Sequence, residues 1–126
     1  MRPLLALAVL LVAGCSGTGG HGGHDEMVVV LGVTNAGTAR AGFELRVEGP
    51  VGSGPMVAQV ALDPGDTAER RFNITNEGPH RAVVQWARGV ASESWRPEEC
   101  GSFHVVFSID PNETGEVTPD RTRECH

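Results

Sequence analysis

Phe43-Glu44-Leu45-Arg46-Val47-Glu48 alternates apolar and charged residues without a break. A period of two is what a strand with one buried face produces, so Phe43, Leu45 and Val47 point to a core while Glu44, Arg46 and Glu48 face water. Gly49-Pro50 ends the run. Just upstream, Met27 to Thr34 is a valine-rich stretch that reads as a strand buried on both faces, closed by Asn35-Ala36-Gly37. Downstream, Met56 to Leu62 places Met56, Ala58, Val60 and Leu62 on one face, and Asp63-Pro64-Gly65-Asp66 turns the chain.

The same logic continues toward the C-terminus. Thr67 to Thr75 reads as a strand carrying Phe72 and Ile74, followed by the turn Asn76-Glu77-Gly78-Pro79. Arg81 to Arg88 places Ala82, Val84 and Trp86 inward, and residues 89 to 102 read as a long loop. Phe103 to Asp110 turns Phe103, Val105, Phe107 and Ile109 to the core, with a turn at Asp110-Pro111-Asn112. A short last strand is expected near Glu116-Val117-Thr118. No segment carries a helical period. The expectation is an all-β domain over residues 27–126, an antiparallel β-sandwich of about seven strands.

Composition bounds the function. A chain of 126 residues holds one small domain. Its formal charge of -6 argues against nucleic acid, whose phosphates call for a basic face, and against electrostatic docking on anionic lipid. All ten cationic side chains are arginine. No G-x-S-x-G elbow, P-loop or H-E-x-x-H occurs, so the expectation is a protein that is not an enzyme and needs no cofactor.

The N-terminus places the protein. Met1-Arg2 is a short positive region, Leu4 to Ala13 is an unbroken apolar run, and Val12-Ala13-Gly14-Cys15 follows with small residues before the cysteine. The run is shorter than the roughly 20 residues a spanning helix needs. This segment resembles the lipobox of bacterial lipoproteins. The resemblance implies a signal peptide over residues 1–14 and a Cys15 that carries lipid, palmitate included, and becomes the mature N-terminus. It also implies an extracytoplasmic protein anchored to the cell membrane or outer membrane. Ser16 stands where an aspartate resembles an inner-membrane retention signal, which favours the outer membrane. Residues 15–26 then form a Gly/His-rich tether between lipid and domain.

With Cys15 committed to lipid, Cys100 and Cys125 are left, and an exported pair is expected to form a disulfide. The domain itself resembles the immunoglobulin-like, CARDB-type modules of prokaryotic surface proteins. That likeness rests on Val33-Thr34-Asn35-Ala36-Gly37, Leu62-Asp63-Pro64-Gly65-Asp66 and the run from Phe103 to Asp110 with Asn112.

Three sets of residues are candidates for binding. The segment from Val90 to Cys100 combines length with Trp95 and Arg96, types enriched at interface hot spots, and reads as a binding loop for an envelope protein or polymer. In that loop, Trp95 either meets a partner or covers the open end of the sandwich beside the disulfide. His21, His24 and Asp25, in His21-Gly22-Gly23-His24-Asp25-Glu26, form a candidate site for Cu(II), Ni(II) or Zn(II). Asn73-Ile74-Thr75 and Asn112-Glu113-Thr114 are glycosylation acceptor triplets. His104 alternates with core residues and is expected on the outer face of its strand, while His80 is placed in a turn.

Overall fold

A computed structural model describes residues 27–50 and 56–126. Among them there is no helix, and nine strands form two packed sheets. The strands are β1 (Met27–Asn35), β2 (Ala41–Glu48), β3 (Met56–Leu62), β4 (Thr67–Ile74), β5 (His80–Trp86), β6 (Gly89–Trp95), β7 (Ser102–Ile109), β8 (Gly115–Glu116) and β9 (Asp120–Cys125). One sheet runs β4-β1-β7-β9 and the other β3-β2-β5-β6-β8. The fold is a β-sandwich.

The core lies between the sheets and is filled by the alternating residues read from the sequence. Val29, Leu31 and Val33 of β1 and Phe103, Val105, Phe107 and Ile109 of β7 come from one side. Phe43, Leu45 and Val47 of β2, with Ala82, Val84 and Trp86 of β5, come from the other. Each such valine, leucine, isoleucine or phenylalanine, fully withdrawn from water, contributes about 1.5–3 kcal/mol.

Several expectations are corrected. The strands number nine rather than about seven because β6 and β9 add to those expected: residues 89 to 102 are not a long loop, and β6 occupies 89–95 and pairs with β5 along its whole length. Arg88 is not in a strand, since β5 stops at Trp86 and Ala87 and Arg88 make the hairpin turn. β8 pairs Gly115 and Glu116 with Gly89 and Val90, and it is not the last strand. The last is β9, paired with β7. The sandwich is also not wholly antiparallel, because β1 with β7 and β6 with β8 run parallel. β1 and β2 lie in opposite sheets.

Two local devices set these strands. Asn35, fully buried, donates through Nδ2 to the carbonyls of Ala39 and Leu62 and accepts from the Gly37 amide, so one amide side chain closes the turn after β1. Gly89 is required by close approach, because a Cβ there would stand 2.6 Å from the Gly115 carbonyl oxygen and 2.7 Å from the Trp86 ring.

Candidate functional site

The segment expected to bind a partner begins on β6, whose core-facing row is Ala91, Glu93 and Trp95. Trp95 is only 6% exposed. Its indole stacks on Phe103 of β7 at 4.9 Å, with 16° between planes, and touches the His80 ring at 5.3 Å. Trp95 therefore covers the end of the core rather than presenting its face to solvent. His80 is likewise not a turn residue on the surface: it opens β5, is buried, and its Nδ1 sits 2.9 Å from the Gly78 carbonyl oxygen.

After Trp95 the chain makes a tight turn, with the amides of Glu99 and Cys100 both donating to the Arg96 carbonyl. Arg96 is half exposed and its Nε donates to Glu98 at 3.1 Å. Glu98 also accepts from the Gly78 amide at 2.8 Å, which ties this turn to the one before β5. That amide, joined by Arg96, holds the Glu98 carboxyl below the usual carboxylate range.

Cys100 and Cys125 are disulfide-bonded, with Cα atoms 5.4 Å apart. Reciprocal backbone bonds between Ser102 and His126 extend the β7–β9 pairing past the bridge. Around it lies a shallow depression of about 520 Å³, lined in part by Trp95, Arg96, Glu99, Cys100, Arg123 and Cys125. Arg123 lies 5.5 Å over the Phe103 ring, on which Trp95 also stacks. The polar groups at this rim are mostly engaged with one another.

A cluster missed by pattern reading stands beside it. Glu93, in the core-facing row of β6, has a side chain only 10% exposed and is held by two arginines of β9. Arg121 Nε reaches one carboxylate oxygen at 2.6 Å and Arg123 Nη1 the other at 3.1 Å. The clasp joins the two sheets across their open side. Its signal was present: a glutamate in phase with Ala91 and Trp95, and two arginines spaced i, i+2 on one strand face.

His104 lies on the outer face of β7 as expected, and its Nε2 is 2.9 Å from Glu69 of β4. The two strands are not neighbours, since β1 lies between them. Gly32 of β1 makes the contact feasible, because a Cβ there would come within 2.8 Å of the Glu69 side chain. Glu124 lies 3.9 Å from His104 and 3.6 Å from His126, so those two histidines share a neighbourhood that the sequence did not reveal.

Among the described residues no group of three or more His, Cys, Asp or Glu side chains is placed to hold a metal ion. Cys15, His21, His24 and Asp25 lie outside the described residues. Asn73 and Asn112 are both exposed, on β4 and in the turn after β7. No family model matches the chain, and no curated protein matches it.

Proposed function

We propose that this chain is a lipid-anchored, non-enzymatic module of the cell envelope, of immunoglobulin-like kinship, that binds or spaces an envelope protein or polymer. The observation that carries the reading is the Cys100–Cys125 disulfide. Disulfides persist in oxidising compartments, which agrees with an N-terminal segment that resembles an export signal ending at Cys15. The anchor is the lipid on Cys15, and residues 16–26 give the domain reach from the membrane. The surface offered to a partner centres on Arg96 and the rim of the disulfide depression, with Trp95 as its buried support.

Metabolic labelling of the full chain with a palmitate analogue in a bacterial host tests the anchor. Label is expected in the wild type and absent in Cys15→Ala. Equal labelling of both would overturn the reading. A second reading, favoured by two imidazoles and two carboxylates within six residues, is a Cu(II), Ni(II) or Zn(II) site at His21, His24 and Asp25. Equal metal uptake by the full chain and its His21→Ala/His24→Ala variant would remove it.

A further inference from the structure

Each sheet of a sandwich has two edges, and natural proteins guard them with charge, with brevity or with cover. Three of the four edges here are guarded. β4 carries Glu69, Arg70 and Arg71, and Arg70 is exposed in a row whose other members, Ala68, Phe72 and Ile74, pack on the core. β9 carries Asp120, Arg121, Arg123 and Glu124, and β8 is two residues long. The fourth edge is β3, Met56-Val57-Ala58-Gln59-Val60-Ala61-Leu62, with no charge and no proline in seven residues. It holds Val57, the one large exposed hydrophobic side chain among the described residues, at 49% exposure.

We propose that the β3 edge pairs antiparallel with β3 of a second copy, about a two-fold axis passing through Gln59. The strand is self-complementary in that register. Met56 meets Leu62 of the other copy, Val57 meets Ala61, and Ala58 meets Val60. Because the axis falls on a residue, core-facing side chains oppose core-facing ones and outward ones oppose outward ones. Met56 and Val60, half-buried and packed against the core at this edge, then close against Leu62 and Ala58 of the other copy. Charge selects this edge over the other long ones. Two copies of net charge -6 repel at a distance, and a neutral strand is where they approach with least opposition. The same operation on β4, centred on Arg70 or on Arg71, would set that arginine against its own copy, like charges directly opposed. The resulting interface is isologous, so it closes at two copies instead of propagating.

Cross-linking of the full chain reads the register directly. A two-fold at residue 59 brings the two Cα atoms to about 4.5–5.5 Å, within the span of a disulfide. Gln59→Cys is therefore expected to give a covalent dimer on a non-reducing gel, while Ala61→Cys alone, two places off the axis, gives none. Mixing Val57→Cys with Ala61→Cys is expected to restore it. Independently, Gln59→Lys should raise the dimer dissociation constant by at least about tenfold in light scattering, and mixing it with Gln59→Glu should recover the dimer. Circular dichroism confirms that each variant folds. A wild-type chain with the mass of one copy at about 100 µM, or equal cross-linking at positions 59 and 61, would overturn the proposal; pairing through another surface, or of β3 with a foreign strand, would give the second of these or the first.

Discussion

β1 and β7 lie side by side in the middle of one sheet and are joined to the rest of the molecule by oil: Val29, Leu31, Val33, Phe103, Val105, Phe107 and Ile109 are all essentially without solvent contact. β6 and β9 belong to different sheets and meet across the open side of the sandwich by other means. There the inward positions are Glu93 on one strand and Arg121, Arg123 and Cys125 on the other, joined by two ion pairs and followed by the bond to Cys100. The strand geometry is the same in both regions. The forces that hold it are different, and so are their dependence on redox state and pH and their legibility in the sequence. Burial of apolar area is indifferent to both conditions; a disulfide and a carboxylate–guanidinium clasp are not.

The sharpest way to break the comparison is to remove the covalent part. Bonding Cys100 to Cys125, 25 residues apart, stabilises the fold by about 3.5 kcal/mol in the chain-entropy description. Cys100→Ala/Cys125→Ala should lower the melting temperature by about 15 °C or more, and a reducing agent should do the same to the wild type. Amides of β9 are expected to lose hydrogen-exchange protection first, while those of β1 keep theirs. Uniform loss across both strands would mean that the two regions are not energetically distinct.

That difference also explains which parts of the fold could be read in advance. β1, β2, β3, β5 and β7 each show a period of two or a near-continuous apolar run, and β4 keeps the period except at Arg70, because an inner row turned to the core must be supplied with hydrophobes. β6 and β9 do not. In Gly89-Val90-Ala91-Ser92-Glu93-Ser94-Trp95 the inner row carries a small residue and an acid before it reaches Trp95, and Asp120-Arg121-Thr122-Arg123-Glu124-Cys125 contains no aliphatic side chain. Glu93 and the two arginines are complementary to each other, not to oil, and a pairing between residues 93 and 121 cannot be read from either segment alone. Trp95 stood between two readings for the same reason: once β6 is taken for a loop, its tryptophan loses the alternation that assigns it to the core, and the structure selects the covering role. The pairing of the cysteines was legible because it follows from counting rather than from periodicity. The neighbourhood of His104 and His126 was not, since it depends on β9 lying beside β7.

A smaller effect isolates the clasp from the disulfide. Glu93 is nearly buried but Arg121 and Arg123 are 34% and 51% exposed, so solvent screens part of the attraction. A double-mutant cycle of Glu93→Gln with Arg121→Gln is expected to give a coupling of about 1 kcal/mol, well above the median for exposed pairs. Salt should reduce it only in part, because one partner is withdrawn from water. A coupling indistinguishable from zero would reassign the closure of this side to the disulfide and to the stacking of Trp95 on Phe103 alone.

The smallest expected effect lies on the outer face of the other sheet, and it supplies the control for the clasp. Arg46 of β2 donates to Glu48 at 2.8 Å and to Glu44 at 2.9 Å, and Arg81 of β5 reaches Glu48 from the neighbouring strand at 2.8 Å. The hydrogen bond from Arg46, then that from Arg81, lowers the Glu48 carboxyl from its ordinary value of 4.5, and the bond to Glu48 raises the Arg46 guanidinium. A carboxylate depressed in the folded state binds protons more weakly there than in the unfolded chain. Its contribution is therefore present above pH 4.5, fades as the pH falls below that value, and is gone below the depressed folded value. Because a third of the Glu48 side chain is exposed, the contribution is below about 1 kcal/mol. Glu48→Gln should thus be slightly less stable than wild type at pH 7 and converge with it in strong acid, by chemical denaturation at each pH. This network lies on a sheet face and bridges neighbouring strands of one sheet, whereas the Glu93 clasp bridges the two sheets. Loss of Glu48 should leave the hydrogen exchange of β9 untouched, and a response there would show that ion pairs on the outer face and across the open side act as one system.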